Sequence, residues 1–239
     1  MIVKNITVWL MSMFLSVLTV HACGSELKFA AYKIPGLFEK DRTGTYDKII
    51  SHLSKILDKP IIYEVLPPGQ LEYQFQRKKL DCVIPLDRRF WHMNGNFINS
   101  EPLNIAKVYI FSRIGEGPYT RIDQIKDKKI GARIGIPYGP KADNLKLELA
   151  QTDDQNVQML NAKRIDVFLA YFPDMLLWKN THTLSLPNHS ITPLDIHNDA
   201  FLCKDTPETR KFLTSFNAAV VKIRQSGELK QMLGNVFVP

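Results

Sequence analysis

Short apolar runs alternate with helix-patterned segments over residues 27–86, and this alternation constrains the fold more than any other feature of the sequence. Residues 27–32, 61–66 and 80–86 are apolar runs typical of buried strands. Between the first two, apolar side chains recur at helical spacing, at Tyr46, Ile49, Ile50, Leu53, Ile56 and Leu57. Residues 71–79 predict a second, shorter helix. The order strand, helix, strand, helix, strand predicts a parallel α/β unit.

The same alternation returns after a loop at residues 87–99. We predict strands at 106–112, 129–134 and 165–171, and helices at 141–150 and 173–178. A long helix begins at Pro207 with Thr206 as its cap, and a last helix spans 228–233. The sequence therefore predicts two successive α/β units closed by terminal helices.

Residues 1–22 have the composition of a secretory signal peptide. Lys4 is followed by sixteen uncharged residues, 5–20, which fall short of the ~20 needed to span a bilayer. We therefore expect export, to the periplasm or the exterior. Cys23 follows the expected cleavage point, and residues 20–23 loosely resemble a lipobox. Two alternatives stay open: a lipidated Cys23, although His21 fits such a motif poorly, or an incidental cysteine in a soluble protein.

Two further cysteines, Cys82 and Cys203, each lie in a short apolar run that predicts a buried strand. In an oxidising compartment they form a disulfide if their strands are neighbours. Two free buried thiols are the alternative, because cysteine packs well as a small apolar residue. The sequence contains no Cys-x-x-Cys pair, which argues against a zinc or thioredoxin-like site.

Composition and motifs exclude several functions. The formal net charge is +7, but no run of five or six basic residues occurs, so we expect no nucleic-acid partner. The sequence lacks nucleophile-elbow, zinc-protease and phosphate-loop motifs, and its histidines, which we expect mostly at the surface, lack metal-ligand spacing. We therefore predict a protein that is not an enzyme and that uses neither a cofactor nor a metal.

Five stretches carry a resemblance to a known family. They are Leu37-Phe38 through Gly44-Thr45-Tyr46-Asp47; the strand at 80–84 with Arg88 or Arg89 and then Ser100-Glu101-Pro102; residues 125–139; Lys163-Arg164-Ile165-Asp166-Val167; and the tail 212–233. In this order they resemble the extracellular solute-binding proteins of family 3, which serve amino-acid ABC transporters. The resemblance covers nearly the whole chain after the signal peptide.

This resemblance implies a type II periplasmic-binding-protein-like fold, an α/β fold of two lobes with a hinge and an interlobe cleft. Residues 26–112 and 199–239 would form lobe 1, and residues 113–198 lobe 2. A monomer would capture a small polar solute, an amino acid or small carboxylate, and deliver it to a membrane permease. The alternatives are a sensory partner of a membrane receptor and, on the same fold, a dehydratase-like enzyme.

The resemblance also assigns ligand-binding candidates. Arg88 or Arg89 would bind a carboxylate with its planar guanidinium. Aromatic residues would cover the solute, with core packing as their alternative role: Tyr32, Phe38, Trp91, Tyr138 and Tyr171. For Phe38 core packing is the preferred interpretation. Tyr171 stands where the family usually places the aspartate that binds an α-amino group, and Asp174 follows three residues later, so an ordinary α-amino acid is not assured as the ligand.

Overall fold

Two β-sheets organise the protein, whose computed structural model describes residues 26–238. The strands are β1 Phe29–Tyr32, β2 Tyr63–Leu66, β3 Cys82–Ile84, β4 Phe97–Asn99, β5 Asn104–Ser112, β6 Ile130–Arg133, β7 Leu147–Ala150, β8 Val167–Phe172, β9 Asn188–His189, β10 Asp195–Asp199 and β11 Leu202–Lys204. The helices are α1 Thr45–Ile56, α2 Pro68–Gln76, α3 Asp153–Asn161, α4 Asp174–Thr181, α5 Pro207–Gln225 and α6 Glu228–Leu233. The predicted signal peptide and Cys23 lie outside the described residues.

The sheet of lobe 1 has the strand order β2-β1-β3-β11-β4. Strand β1 is parallel to β2 and β3, whereas β11 is antiparallel to β3 and β4. Helix α1 buries Tyr46, Ile49, Ile50 and Leu53 of the predicted apolar stripe in the core of lobe 1, whereas Ile56 at its end is 37% exposed. Helix α5 begins at Pro207 as predicted, because the Thr206 hydroxyl accepts a hydrogen bond from the Thr209 amide at 3.3 Å.

The sheet of lobe 2 has the order β10-β5-β8-β6-β7, with β9 also paired to β5. Strand β8 is parallel to β6 and antiparallel to β5. Residues 107–112 of β5 pair with residues 167–172 of β8. Strand β5 therefore belongs to the second sheet. The predicted lobe boundaries, after residue 112 and before residue 199, stay predictions.

The helix predicted at residues 141–150 is wrong. Residues 147–150 form strand β7, which pairs in parallel with β6, and turns occupy the preceding residues. Lys, Leu, Glu and Ala favour a helix locally, but pairing with the open edge of β6 determines the conformation of this segment. Consequently, no helix begins at Lys141 to present amide groups to an anion.

Cys82 and Cys203 form a disulfide. They lie directly opposite each other on β3 and β11, both fully buried, with Cα atoms 4.0 Å apart. Of the two alternatives that the sequence left open, the structure therefore has the disulfide and not two free thiols. The bond links residues 121 positions apart and therefore joins the beginning of lobe 1 to its returning segment.

The carboxyl-terminal residues are bound at the start of β5. The Asn104 amide group donates to the Val236 carbonyl at 2.8 Å, and its oxygen accepts from the Val238 amide at 3.2 Å. Since β5 is one of the two strands that connect the lobes, the end of the chain is attached beside the connection. No helix within residues 26–238 is long and apolar enough to cross a membrane.

Candidate functional site

A cavity of about 40 Å³ lies between the lobes. Its wall is formed by residues of both lobes: Tyr32, Ile34, Leu37, Pro85, Ala106, Ile136, Pro137, Tyr171, Asp174, His197 and Asp199. These residues follow the carboxyl ends of β1, β3, β6 and β8 or lie on the connecting strands β5 and β10. In open α/β sheets this edge is where ligands bind.

Two carboxylates, Asp174 and Asp199, line the cavity. Asp199 ends β10 and is buried, with its side chain bound by the Tyr46 hydroxyl and by His197 Nδ1 at 2.9 Å. His197 Nε2 accepts a hydrogen bond from the Asp87 amide at 3.0 Å. Because one ring nitrogen accepts, the network assigns the neutral tautomer, in which Nδ1–H donates to Asp199. The His197 ring therefore contributes no positive charge to the cavity.

Asp174 belongs to a buried charged cluster behind the lobe 2 wall. Arg133 Nη1 lies 3.2 Å from Asp153 Oδ2 and 3.6 Å from Asp174 Oδ2. All three side chains are at most 13% exposed. Arg133 Nε and Asp153 Oδ1 have no hydrogen-bond partner. One guanidinium thus faces two carboxylates, and a third carboxylate, Asp199, lies across the same cavity.

Burial and neighbouring charges shift the ionisation of this cluster. Burial, followed by the nearby Asp153 carboxylate, raises the pKa of Asp174 to about 7, although Arg133 opposes the shift. Burial also raises the pKa of Asp153, again against the attraction of Arg133. A carboxyl group whose pKa is near 7 is partly protonated at neutral pH, and it becomes fully charged when a cation approaches.

Tyrosines form the aromatic part of the wall. Tyr171 lines the cavity and stacks on Tyr138, with ring centroids 5.6 Å apart and planes 20° apart. The Tyr171 hydroxyl donates to the Pro137 carbonyl at 2.5 Å, and the Tyr138 hydroxyl accepts from the Arg133 amide at 2.9 Å. Burial raises the pKa of both tyrosines, and of Tyr32, so these rings stay neutral. Tyr32 and Tyr171 thus both line the cavity, and their contact with a ligand stays a prediction. Tyr138, also predicted to contact the ligand, does not line the cavity and instead packs behind Tyr171.

The two predicted arginine anchors do not line the cavity. Arg88 Nη1 donates to the Trp91 carbonyl at 2.7 Å, within its own loop. Arg89 pairs with Asp87 at 2.8 Å and donates to the Ile196 carbonyl, and its side chain is 54% exposed. Both guanidinium groups are therefore directed to partners outside the cavity wall, and the structure places no carboxylate anchor where the sequence suggested one.

Phe38 and Trp91, both predicted to contact the ligand, do not line the cavity. Phe38 is fully buried and packs edge-on against Tyr46 and Tyr63 in the core of lobe 1. Phe38 is therefore a core residue, as we preferred, and not a ligand contact. Trp91 lines an adjoining groove that shares Tyr32 with the cavity wall, and its buried indole N–H has no partner.

Sequence reasoning missed Asp199 and His197, and it noted Asp174 only as an acid three residues beyond the expected position. His197, which we placed at the surface, is 4% exposed. No periodic signal marked this segment: Asp195-Ile196-His197-Asn198-Asp199 has one apolar residue, Ile196, and the structure exposes that residue while it buries His197 and Asp199. No group of three or more His, Cys, Asp or Glu residues within 26–238 is arranged to hold a metal ion.

The lobes touch closely along the cleft. Gly135 of lobe 2 has φ +71°, and a Cβ added to it would lie 2.7 Å from the Gly69 amide nitrogen of lobe 1. A side chain at this position would separate the lobes or displace α2. The structure is therefore a closed form, in which main-chain atoms of the two lobes are in contact.

Comparison with solved structures identifies the fold. The ligand-binding core of GluR0 from Nostoc punctiforme, in complex with L-glutamate, aligns with a TM-score of 0.71 and 14% identity over 90% of this chain and 100% of that one. An arginine transport-system periplasmic binding protein from Legionella pneumophila aligns with a TM-score of 0.66 and 13% identity, over 88% and 99%. A histidine kinase sensor domain similar to periplasmic binding proteins aligns with a TM-score of 0.70 and 13% identity, over 90% and 98%.

These alignments confirm the predicted two-lobed, periplasmic-binding-protein-like fold. They also confirm, at the level of the fold, the resemblance to family 3 solute-binding proteins that the sequence motifs suggested. No family model and no curated protein matches the sequence. The identities of 13% and 14% are too low to transfer a ligand or a partner from these structures to this chain.

Proposed function

We propose that this protein captures a small polar solute between its two lobes and releases it unchanged. The observation that carries the proposal is the interlobe cavity, in which polar groups from α4 and β10 face apolar residues of lobe 1. Binding sites of this kind combine a mostly apolar wall with a few convergent polar groups. A solute bound there would be enclosed by both lobes and would stabilise the closed form.

The expected setting is extracytoplasmic, with a membrane protein as partner. The sequence of residues 1–22 and the disulfide both suit export into an oxidising compartment. Similar folds include a periplasmic binding protein of an arginine transport system, which favours delivery to an ABC importer. The protein is proposed to act as a monomer and to carry out no chemical reaction on its solute.

Sensing is the second candidate, because the histidine kinase sensor domain aligns over 98% of its length. In this role the closed form would contact a membrane receptor rather than a permease. Solute capture is common to both roles, so the first experiment tests capture alone.

The test is a thermal-shift screen of the purified protein against amino acids, amines, alcohols and small carboxylates. We expect one class to raise the unfolding temperature, by an amount that increases with the logarithm of its concentration once this exceeds Kd. Mass spectrometry should then recover the bound solute unaltered. Absence of stabilisation by every class would contradict solute capture, and conversion of the solute would indicate an enzyme instead.

A further inference from the structure

The charge balance around the cavity is negative. Asp153, Asp174 and Asp199 surround it or lie directly behind its wall, whereas Arg133 is the one guanidinium bound to this cluster within the described residues. His197 is neutral in the assigned tautomer, because its Nε2 accepts from the Asp87 amide. A solute that enters the cavity therefore meets more negative than positive charge.

The cavity wall is also poor in hydrogen-bond donors for an anion. Pro85 and Pro137 have no N–H group. The amides of Ile34 and Leu37 already donate to the carbonyls of Phe38 and Ile34. The Tyr171 hydroxyl donates to the Pro137 carbonyl. A carboxylate placed here would therefore find the Tyr32 hydroxyl but few other donors, and it would face two acids.

The same wall suits a positive charge. Tyr32 and Tyr171 contribute neutral aromatic rings, whose faces attract cations. Asp174 and Asp199 contribute acceptor oxygens to the cavity. A small ammonium group would fit between rings and carboxylates, and an apolar tail would extend past Tyr32 into the adjoining groove beside Trp91.

From these observations we propose that the solute is a small organic cation, a primary or methylated amine without a carboxylate, whose ammonium group is bound by Asp174 and Asp199. This inference rests on the proposed function and specifies its ligand class. It replaces the carboxylate anchored by Arg88 or Arg89 that the sequence suggested, since neither guanidinium lines the cavity.

The rival arrangement uses Arg133 as an anion anchor. Its Nε has no partner, so an anion would have a free donor to bind. However, Arg133 does not line the cavity, and its Nη1 is held by two carboxylates. An anion would have to displace Asp174 from the arginine and then remain beside Asp199. The geometry therefore favours a cation.

The test compares solutes of matched shape by isothermal titration calorimetry at pH 8: butylamine, butan-1-ol and butyrate, with tetramethylammonium, glycine and L-glutamate. We expect an amine to bind at least about tenfold more tightly than its matched alcohol, and butyrate and glutamate to bind more weakly still. Asp174→Asn should weaken amine binding by about tenfold or more. The control Asp127→Asn, which removes an exposed charge from the same lobe, should leave it unchanged.

Each result gives a distinct answer. Preference for butyrate, glycine or glutamate would overturn the cation inference but keep solute capture, and loss of that binding in Arg133→Lys would identify the rival anchor. Equal amine affinity in Asp174→Asn and Asp127→Asn would also overturn it. Failure of every solute, in this series and in the broader thermal-shift screen, would reject solute capture itself. Circular dichroism of each variant verifies that it is folded.

Discussion

The two lobes differ in how completely their buried charged groups are hydrogen-bonded. In lobe 1 the Asp47 carboxylate accepts hydrogen bonds from the Glu39 amide at 2.8 Å, the Gly44 amide at 3.1 Å and the Tyr63 hydroxyl. In lobe 2 an oxygen of Asp153, the Nε of Arg133 and both polar side-chain atoms of Asn156 are buried without partners. Buried polar groups usually have partners, and the exceptions often mark functional places.

This difference suggests a division of roles. Lobe 1 combines the fully bonded Asp47 carboxylate with an aromatic core and a disulfide, as expected of a stable support, and its unpartnered Trp91 indole N–H carries no formal charge. Lobe 2 keeps an under-compensated charge cluster beside the cavity, which costs stability in the empty protein. A cation bound to Asp174 would offset part of this cost, because it adds positive charge beside the cluster.

The largest expected effect is the loss of the lobe 1 cross-link. Replacing both cysteines, Cys82→Ala with Cys203→Ala, should lower the free energy of unfolding by about 5 kcal/mol, because the disulfide closes a loop that spans 121 positions. Urea unfolding measures this change, with chemically reduced wild-type protein as the matched control. Hydrogen exchange should show that protection falls most in β1 and β3. An equal fall in β6 and β8 would contradict the proposed division.

Removal of the lobe 2 guanidinium comes next. Arg133→Met leaves Asp153 and Asp174 buried without their counter-charge, so we expect a loss of about 3–5 kcal/mol at pH 8. The control Arg121→Met breaks an exposed pair with Asp123 and should cost at most about 1 kcal/mol. Similar losses in both variants would show that the buried cluster has no special energetic weight.

The stability of the empty protein should depend on pH through Asp174. The folded-state pKa is raised to about 7 from an ordinary value of 3.8, so the folded state binds the proton more tightly than the unfolded state. This contribution is fully present below pH ~4 and is lost as the pH rises through 7, with a slope of at most about 1.4 kcal/mol per pH unit. Asp174→Asn should flatten this part of the curve measured by urea unfolding, whereas Asp127→Asn should not. A wild-type curve that is flat between pH 4 and 7, or one that Asp174→Asn leaves unchanged, would contradict the assignment.

The smallest expected effect is on the closing of the two lobes around a solute. Gly135→Ala should hinder contact between the lobes and weaken solute binding by about tenfold, which corresponds to roughly 1.4 kcal/mol. Gly115→Ala is the matched control, because Gly115 also has a positive φ, +89°, but an added Cβ there meets nothing within 4 Å. Small-angle scattering should find a larger radius of gyration for the Gly135 variant only. Equal radii and equal affinities would show that the close approach does not limit closure.

Sequence patterns predicted the fold well where local signals and tertiary packing agree. The buried part of the α1 stripe follows directly from helical periodicity, and α6 spans the predicted Glu228–Leu233 although its N-cap, Gly227, provides no side-chain hydrogen bond. Residues 147–150 were mispredicted because their helix-forming composition is overruled by pairing with β6. That pairing joins distant elements, and no local pattern encodes it.

The site was harder to predict than the fold, because its charges come from residues that are distant in sequence. Tyr32 and Tyr171 line the cavity because both lie near the carboxyl ends of their strands, and their role in binding stays a prediction. Arg88 and Arg89 were chosen by family position, yet their own loop and Asp87 already bind them. The Asp199 carboxylate is held by hydrogen bonds from Tyr46 and His197. Tyr46 is distant from Asp199 in sequence, so only the folded structure shows that the two residues are in contact.

The attachment of the carboxyl terminus to Asn104 has a practical consequence. Val236 and Val238 are bound to the first residue of a strand that joins the two lobes. An affinity tag or fused domain placed after this tail would therefore lie beside that joint. An environment-sensitive fluorophore on the tail would lie beside the connection between the lobes, and a change in its emission would report movement there.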